Sequence, residues 1–258
     1  MMMDNPPPKP FLIQWGSGEP ALVFLHYFNG AAVSWQWVIQ ALQLHYRCIT
    51  LDLPGYGHAA PLPQPSLQAY GDFIWQTLAP LNLNQFVLVG HSMGAKMALQ
   101  VAANPAVQGL QQVVLVAPSP PTQEPMPDQE RQRRLNNHPS RDNAATTVDG
   151  ATHVPLPTER REVAIQTHLQ AADAAYRWWL LEGMNHSIAD HLHRIAVPVT
   201  VLASQDDPVI PYDIVLREVL SWLPEAQLVA LSGVGHLIPL EAPEQLAAEI
   251  CRAVQTRC

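Results

Sequence analysis

Short apolar runs alternate with amphipathic stretches along most of the chain. The runs are nearly continuous in apolar residues, which is typical of strands buried on both faces of a parallel sheet. They predict strands at 11–15, 21–26, 48–51, 86–89, 113–116, 197–202 and 227–231. Helices are predicted between the strands at 34–44, 66–81, 93–103, 211–223 and 243–254, with Ser34 and Ser66 as the N-caps of the first two. This alternation predicts an α/β fold with a mostly parallel central sheet, helices on both of its faces, and sites at the carboxyl ends of the strands.

One long region interrupts the alternation. Residues 119–195 contain no strong strand pattern, and residues 118–127 are too rich in proline for regular structure. Helical patterns do occur there, at 131–135, 159–170 and 171–183. Because the region is too long for an ordinary loop, we predict that residues 119–195 form an inserted, mostly helical cap. The predicted core then consists of residues 11–118 and 196–258, preceded by a flexible tail at residues 1–10.

Composition narrows the function classes. The 258 residues are 48% hydrophobic and only 14% charged, which excludes a disordered chain. A net charge of −8 argues against a nucleic-acid partner. Three scattered cysteines make neither a disulfide framework nor a zinc site. No apolar run reaches the roughly 18–20 residues needed to span a bilayer, and the N-terminus lacks the apolar middle of a signal peptide. We therefore expect a soluble, cytoplasmic protein, and the sequence leaves its oligomeric state open.

The segment Gly90-His91-Ser92-Met93-Gly94 is the first candidate for chemistry. It is a G-x-S-x-G pentapeptide that follows a predicted strand and begins a predicted helix, as this motif requires. The glycines allow a sharp turn that exposes the serine oxygen at the strand end, and the helix N-terminus favours negative charge there. Although five residues match often by chance, this context predicts that Ser92 is a nucleophile.

A serine nucleophile needs a base and an acid that orients the base. Among the eleven histidines, His236 directly follows the last predicted strand, which places it at the same sheet edge as Ser92. His91 should point away from the serine oxygen, and we expect His26 to brace a loop by hydrogen bonds. Asp206 and Asp207 both follow the strand at 197–202, so either could be the acid, although a carboxylate there could also cap the next helix.

Taken together, these segments resemble the α/β-hydrolase superfamily over nearly the whole chain apart from the predicted cap. The other motifs that carry the resemblance are Asp-Leu-Pro-Gly-Tyr-Gly at 52–57, Asp-Asp-Pro-Val-Ile-Pro at 206–211 and Gly-His-Leu-Ile-Pro-Leu-Glu-Ala-Pro at 235–243. In this family the acid usually lies four residues before the proline of the acid loop, which selects Asp207. Family members with dehalogenase or epoxide-hydrolase activity have an aspartate at the nucleophile position, so Ser92 counts against those activities.

The resemblance also implies an oxyanion hole. By position, the backbone amides of Phe28 and Met93 should bind the oxyanion. Many relatives have a glycine after the histidine of this loop, whereas this chain has Tyr27. The side chain of Tyr27 is therefore expected to narrow the substrate pocket. Trp178 and Trp179 belong to an aromatic cluster in the predicted cap, which could line an acyl pocket, pack the cap onto the core, or do both.

The implied function is hydrolysis of carboxylic esters of small molecules through an acyl-serine, with the triad Ser92, Asp207 and His236 and without a metal or an organic cofactor. The same triad also supports carbon–carbon bond hydrolysis, amide hydrolysis, acyl transfer and cofactor-free perhydrolysis. A ligand-binding protein without catalysis would be expected to have a damaged triad, and this one is intact in sequence.

Two further clusters have less specific interpretations. His186, Asp190 and His193 could share one face of a helix and hold a metal ion, but no fourth ligand is evident, which favours a solvated face. The arginines at 131, 133 and 134 could bind an anionic substrate, but neighbouring acidic residues favour an exposed helix.

Overall fold

The computed structural model of the protein describes residues 10–255, and within them seven strands form one sheet. The strands are β1 (Leu12–Trp15), β2 (Ala21–Leu25), β3 (Cys48–Leu51), β4 (Phe86–His91), β5 (Leu110–Val116), β6 (Val199–Ser204) and β7 (Gln227–Leu231). Their spatial order is β1-β3-β2-β4-β5-β6-β7. Only β1 runs antiparallel to its neighbour, β3, and all the other pairs are parallel. The predicted α/β fold with a mostly parallel sheet is confirmed.

The strands differ from their predicted bounds by a few residues at their ends. The largest functional consequence concerns β4, which continues through Gly90 and His91 because these residues pair with Leu115 and Val116 of β5. The strands β2, β4, β5, β6 and β7 all run parallel. Their carboxyl ends therefore meet at one edge of the sheet. That edge carries the loops that follow β2, β4, β6 and β7.

The helices lie between and beside the strands. They are α1 (Gln36–Leu42), α2 (Leu67–Leu78), α3 (Met93–Ala102), α4 (Asp128–Asn136), α5 (Arg141–Asp149), α6 (Thr158–Gln170), α7 (Asp173–Leu181), α8 (Tyr212–Ile214), α9 (Ile238–Glu241) and α10 (Pro243–Gln255). A π-helix at Val215–Leu220 continues α8, and 3-10 turns occur at Ala32–Trp35, Ala79–Leu81, Gly183–Asn185 and Ala189–Arg194. Within the described residues, no helix is both long and apolar enough to cross a membrane.

Two apolar clusters cover the two faces of the sheet. On one face, Leu99 of α3 and Ile74 of α2 are buried in the same cluster as alternate residues of the central strands. On the other face, Ile39 of α1 and Ile250 of α10 are buried with the intervening strand residues. This alternation along each strand explains why the strands read as continuous apolar runs.

The first helix begins differently from the prediction. Ser66 is the N-cap of α2, since its hydroxyl accepts the amide of Ala69 at 3.1 Å. Ser34, by contrast, lies inside the 3-10 turn, and α1 begins only at Gln36. A buried carboxylate holds the start of this turn, because Oδ1 of Asp52 accepts the amide of Ala32 at 2.7 Å.

The segment between β5 and β6, residues 117–198, contains α4 to α7 and no strand among its described residues. The sequence pattern misses α5, whose apolar positions are few but include the buried Ala144 and Val148. The proline-rich stretch before α4 is irregular, as predicted. The division of the chain into core and cap stays a prediction, and residues 1–9 of the predicted tail lie outside the described residues.

The buried Asp52 provides a test of the loop architecture at this sheet edge. Its second oxygen, Oδ2, accepts the amide of His58 at 2.7 Å. We expect Asp52→Ala to lower the free energy of unfolding by at least about 1–3 kcal/mol, because buried backbone donors lose their acceptor. Urea unfolding measures this change. Asp72→Ala, which removes an exposed carboxylate paired with Gln68, should change stability by less than about 0.5 kcal/mol. Equal effects of the two variants would contradict the assignment.

Candidate active site

Ser92 sits at a strained turn between β4 and α3. Its φ of 53° and ψ of −116° are unusual for a residue other than glycine. A Cβ at Gly90 would overlap the carbonyl oxygen of Gly94, and a Cβ at Gly94 would overlap the carbonyl oxygen of Leu25. Both flanking glycines are therefore required by the close approach of neighbouring backbone, which explains the composition of the pentapeptide.

His236 and Asp207 lie beside this turn in hydrogen-bonding order. The distance from Nε2 of His236 to Oγ of Ser92 is 2.9 Å, and the distance from Nδ1 of His236 to Oδ2 of Asp207 is 2.8 Å. With Nδ1–H donating to the carboxylate, Nε2 accepts the serine hydroxyl. All three side chains are buried, with residue exposures of 4–7%. The structure thus brings together the three residues that the sequence motifs single out, and we refer to them as the candidate triad.

The two neighbouring aspartates have different surroundings. Oδ1 of Asp207 accepts the amides of Val209 and Ile210 at 2.7 and 2.9 Å, which leaves Oδ2 for His236. Asp206 accepts the amide of Gly233 at 2.7 Å and so ties the acid loop to the histidine loop. Only Asp207 contacts the imidazole, whereas Asp206 supports the backbone that carries it.

The environment of His236 favours its charged form. Burial by itself lowers the pKa of His236, but the charge of Asp207 and the hydrogen bond to it outweigh burial, so the pKa is raised above the usual histidine value. An imidazole with this partner can take a proton from Ser92 and hold it as a stabilised cation.

Two other buried histidines position the loops. His91 points away from the serine oxygen and donates from Nε2 to the carbonyl oxygen of His236 at 2.8 Å. Burial and the nearby His236 hold the pKa of His91 well below its usual value, so it stays neutral. His26 accepts the amide of Leu53 at Nε2, at 3.0 Å, and donates from Nδ1 to the carbonyl oxygen of Tyr27 at 2.8 Å. His26 therefore braces the loop after β2, as its position in the sequence predicts.

The two predicted oxyanion donors are backbone amides that lack an acceptor among the described residues. Met93 is the first residue of α3, so its amide has no acceptor within the helix. The amide of Phe28 has no acceptor within residues 10–255, and it lies in the turn closed by the bond from the amide of Gly30 to the carbonyl oxygen of Tyr27. Tyr27 fits in place of a smaller residue because Gly30 has no side chain: a Cβ there would lie 2.8 Å from the Tyr27 ring.

A cavity opens beside the candidate triad, between the sheet edge and the segment between β5 and β6. It is small, with a volume of about 50 Å³. Tyr27 and Trp179 line it. Of the two alternatives for Trp178, the structure shows packing, because its ring stacks on Tyr70 with 5.1 Å between centroids and joins that segment to α2. The cavity is also lined by Phe28, Glu124, Arg134, His168 and Leu237.

Sequence reasoning missed a buried carboxylate in this cavity. Glu124 is 5% exposed and accepts the hydroxyl of Ser119 at 2.5 Å. Lys96, one helical turn after Ser92, is fully buried and donates to the carbonyl oxygen of Thr122 at 2.7 Å. Burial lowers the pKa of Lys96 to about 8, with partial compensation from the charge of Glu124. A lysine inside an apolar helix was the available sequence signal, whereas Glu124 lies in an irregular proline-rich stretch that gives none.

The two ambiguous clusters have different outcomes. His186 precedes the 3-10 turn that contains Asp190 and His193, so the three do not share one helix face. Within residues 10–255, no group of His, Cys, Asp and Glu side chains could hold a metal ion. In α4, Arg131 pairs with the exposed Asp128. The expectation of an exposed helix is wrong for Arg134, whose side chain is only 13% exposed and lines the cavity.

Comparison with known proteins agrees with this geometry. Residues 22–249 match the sequence profile described as the alpha/beta hydrolase family. The chain belongs to this family. Alpha/beta hydrolases of known structure with the same fold include an esterase from Exiguobacterium antarcticum, at 17% identity, a TM-score of 0.87 and 96% coverage of both chains. A putative aryl esterase from Burkholderia cenocepacia is 19% identical, with a TM-score of 0.85 and coverage of 96% of this chain and 94% of that one.

Among curated proteins, this alpha/beta hydrolase is similar to 2-succinyl-6-hydroxy-2,4-cyclohexadiene-1-carboxylate synthases. The protein from Escherichia coli O157:H7 (strain EC4115 / EHEC) is 37% identical over 116 residues. This match spans 45% of the chain and 45% of the relative, which is less than half the length of either.

The pKa of His236 leads to a prediction about pH. A charged His236 cannot accept the proton of Ser92, so we expect kcat/KM for an ester to rise with pH through a single midpoint above about 6.5, the usual histidine value. In Asp207→Asn the charge that raises the pKa is lost, so the midpoint should fall below that of the wild type. Activity at the plateau should drop by about 10³–10⁴-fold. Initial rates with an activated ester between pH 5 and 9 measure both effects.

Asp206→Asn is the matched control for this experiment, because it makes the same chemical change one residue away. It should keep the wild-type midpoint and lose less than about tenfold in kcat/KM, since Asp206 contacts backbone and not His236. A larger loss in Asp206→Asn than in Asp207→Asn would mean that the other carboxylate is the acid.

Proposed function

We propose that the protein is a serine hydrolase that cleaves small carboxylic esters through an acyl-serine intermediate. The observation that supports this most is the pair of hydrogen bonds that joins Oγ of Ser92 to His236 at 2.9 Å and His236 to Asp207 at 2.8 Å. A serine whose hydroxyl is bonded to a charge-stabilised imidazole is an activated nucleophile.

The proposed reaction has two halves. Oγ of Ser92 forms a bond to the ester carbonyl carbon while its proton moves to Nε2 of His236. The tetrahedral intermediate then expels the alcohol, which leaves with the proton from His236, and an acyl-serine remains. A water molecule gives its proton to His236 and attacks the acyl carbon, after which the proton returns to Ser92 and the carboxylic acid is released. Asp207 holds the imidazole in the required tautomer throughout.

The amides of Phe28 and Met93 are the proposed oxyanion donors. Met93 directly follows Ser92, Phe28 lines the same cavity as Ser92, and the N-terminus of α3 adds a favourable dipole for negative charge. Loss of one such donor typically costs about 2.7–4 kcal/mol of transition-state stabilisation. Both donors are backbone groups, so a side-chain substitution cannot remove them. The position of the Phe28 amide depends on the loop after β2, which His26 braces.

The narrow cavity favours a small acyl group. We propose that residues 119–195 act as a cap that closes this cavity over the sheet edge, with Trp179 from α7 and Phe28 from the loop after β2 in contact at 6.2 Å between centroids. The small free space beside Ser92 therefore favours short acyl groups over long alkyl chains.

A second candidate function comes from the curated relatives, whose name describes the synthesis of a cyclohexadiene carboxylate. The similarity of 37% over 116 residues supports it. Detection of an acyl-Ser92 adduct by mass spectrometry after mixing with an activated ester favours the hydrolase. Absence of both turnover and adduct in the wild type would count against the hydrolase, and only conversion of a cyclohexadiene carboxylate precursor would support the synthase.

The ester series provides the main test. With p-nitrophenyl esters, we expect kcat/KM to be highest for acetate or butyrate and at least about tenfold lower for decanoate, because the cavity excludes long chains. Ser92→Ala should remove turnover of all of them, as measured by release of p-nitrophenolate. Turnover that survives in Ser92→Ala would exclude the nucleophile assignment, and a preference for decanoate would exclude the small-acyl pocket. Thr77→Ala, which removes a buried hydroxyl that bonds the backbone of its own helix, α2, serves as the control for nonspecific loss of activity.

A further inference from the structure

One wall of the cavity presents a cation whose hydrogen-bonding capacity is only partly used. Arg134 of α4 donates from Nε to Glu130 at 2.6 Å, and its two terminal nitrogens have no acceptor within residues 10–255. The side chain is mostly buried yet lines the cavity beside Ser92 and His236. It also lines the adjoining outer groove. Its guanidinium therefore stands where the cavity meets that groove.

A second polar group faces the same wall from α6. His168 is 2% exposed, and its Nε2 has no partner among the described residues. Its Nδ1 lies 3.4 Å from Nδ2 of Asn29, which can donate to it. Burial, His138 and the nearby arginines lower the pKa of His168 to about 3, so the ring is neutral. With Asn29 donating to Nδ1, the single ring proton is assigned to Nε2. Arg134 and His168 thus offer donors without acceptors.

The charges around the cavity leave an excess of one positive charge at this wall. Glu130 is shared by two guanidinium groups, those of Arg133 and Arg134. The other carboxylate in the cavity, Glu124, lies near the buried Lys96, and its negative charge raises the pKa of that lysine. The charges of Glu124 and Lys96 therefore offset each other. A partly buried guanidinium with unused donors is best satisfied by a carboxylate, whose two oxygens match its planar geometry.

We propose that the substrate carries a carboxylate at the far end of its acyl chain, and that Arg134 and His168 bind this carboxylate while Ser92 attacks the ester carbonyl. This inference rests on the proposed function and names its substrate class: monoesters of short dicarboxylic acids. The alcohol leaves first, while the acyl part stays between Ser92 and Arg134 until water releases it as a dicarboxylate.

Two esters that differ only in this charge test the proposal. The substrates are mono-p-nitrophenyl glutarate and the p-nitrophenyl ester of monomethyl glutarate, in which the distal carboxylate is masked. We expect the wild type to prefer the charged ester by about 10-fold or more in kcat/KM, since hydrogen bonds to charged groups are the strong ones. Arg134→Gln should remove this preference by slowing only the charged ester, and Arg134→Lys should restore part of it.

Arg131→Gln is the matched control, because it removes the same charge from the same helix but on the side that faces Asp128. It should keep the wild-type preference. Activity of each variant on the masked ester shows that the variant is folded. Equal rates of the wild type on both esters, or an equal loss on both in Arg134→Gln and Arg134→Lys, would overturn the inference and leave the proposed ester hydrolysis standing.

Direct binding separates the two hypotheses if neither ester is hydrolysed. In that case the proposed function fails, and the anion site is judged with Ser92→Ala by thermal unfolding in the presence of glutarate. Stabilisation by glutarate that is absent with 1,5-pentanediol, and absent in Ser92→Ala combined with Arg134→Gln, supports the site. No stabilisation by glutarate overturns it.

Discussion

The site depends on a steric constraint at Ser92, where the chain must turn from the buried strand β4 into α3 with a positive φ. This turn is allowed only because Gly90 and Gly94 have no side chains to collide with neighbouring backbone. It also depends on the parallel pairing of β4 with β2 and β5, which fixes the height of the serine at the sheet edge. The loops after β2, β6 and β7 end at the same edge because their strands are parallel, so the fold itself brings the remaining groups within hydrogen-bonding distance.

The site also combines several buried polar groups that support one another. His91 holds the carbonyl of His236, Asp206 holds Gly233, and Ser204 donates to the carbonyl oxygen of Val234. Each of these bonds ties the histidine loop to a strand end. Buried polar groups cost free energy unless they are paired, so these contacts both stabilise the loop and fix the imidazole. Arg134 and His168 differ from them because they line the cavity with donors that have no acceptor among the described residues, which is why we propose a ligand there.

Sequence patterns predicted the sheet and the three loops of the candidate triad because strands buried on both faces are unambiguous and the pentapeptide has a strict structural context. They failed where tertiary contacts decide. Ser34 lies inside a 3-10 turn whose first amide is bonded by the sequence-distant Asp52, and Trp178 and Trp179 are adjacent in sequence but pack against different partners. The side chain of Arg134 faces the cavity because of the way α4 packs against the rest of the protein, and Glu124 lies in an irregular stretch. The spacing of residues in the sequence therefore could not predict that either side chain lines the cavity.

The central claim is that Ser92 is a nucleophile activated by His236 and Asp207. The most direct measurement is labelling of the wild type with a fluorophosphonate, followed by peptide mapping by mass spectrometry. We expect one adduct per chain, located on Ser92. The labelling rate should fall by orders of magnitude in Asp207→Asn and stay nearly unchanged in Asp206→Asn. A wild-type protein that remains unlabelled, or one whose adduct lies on another residue, would contradict it.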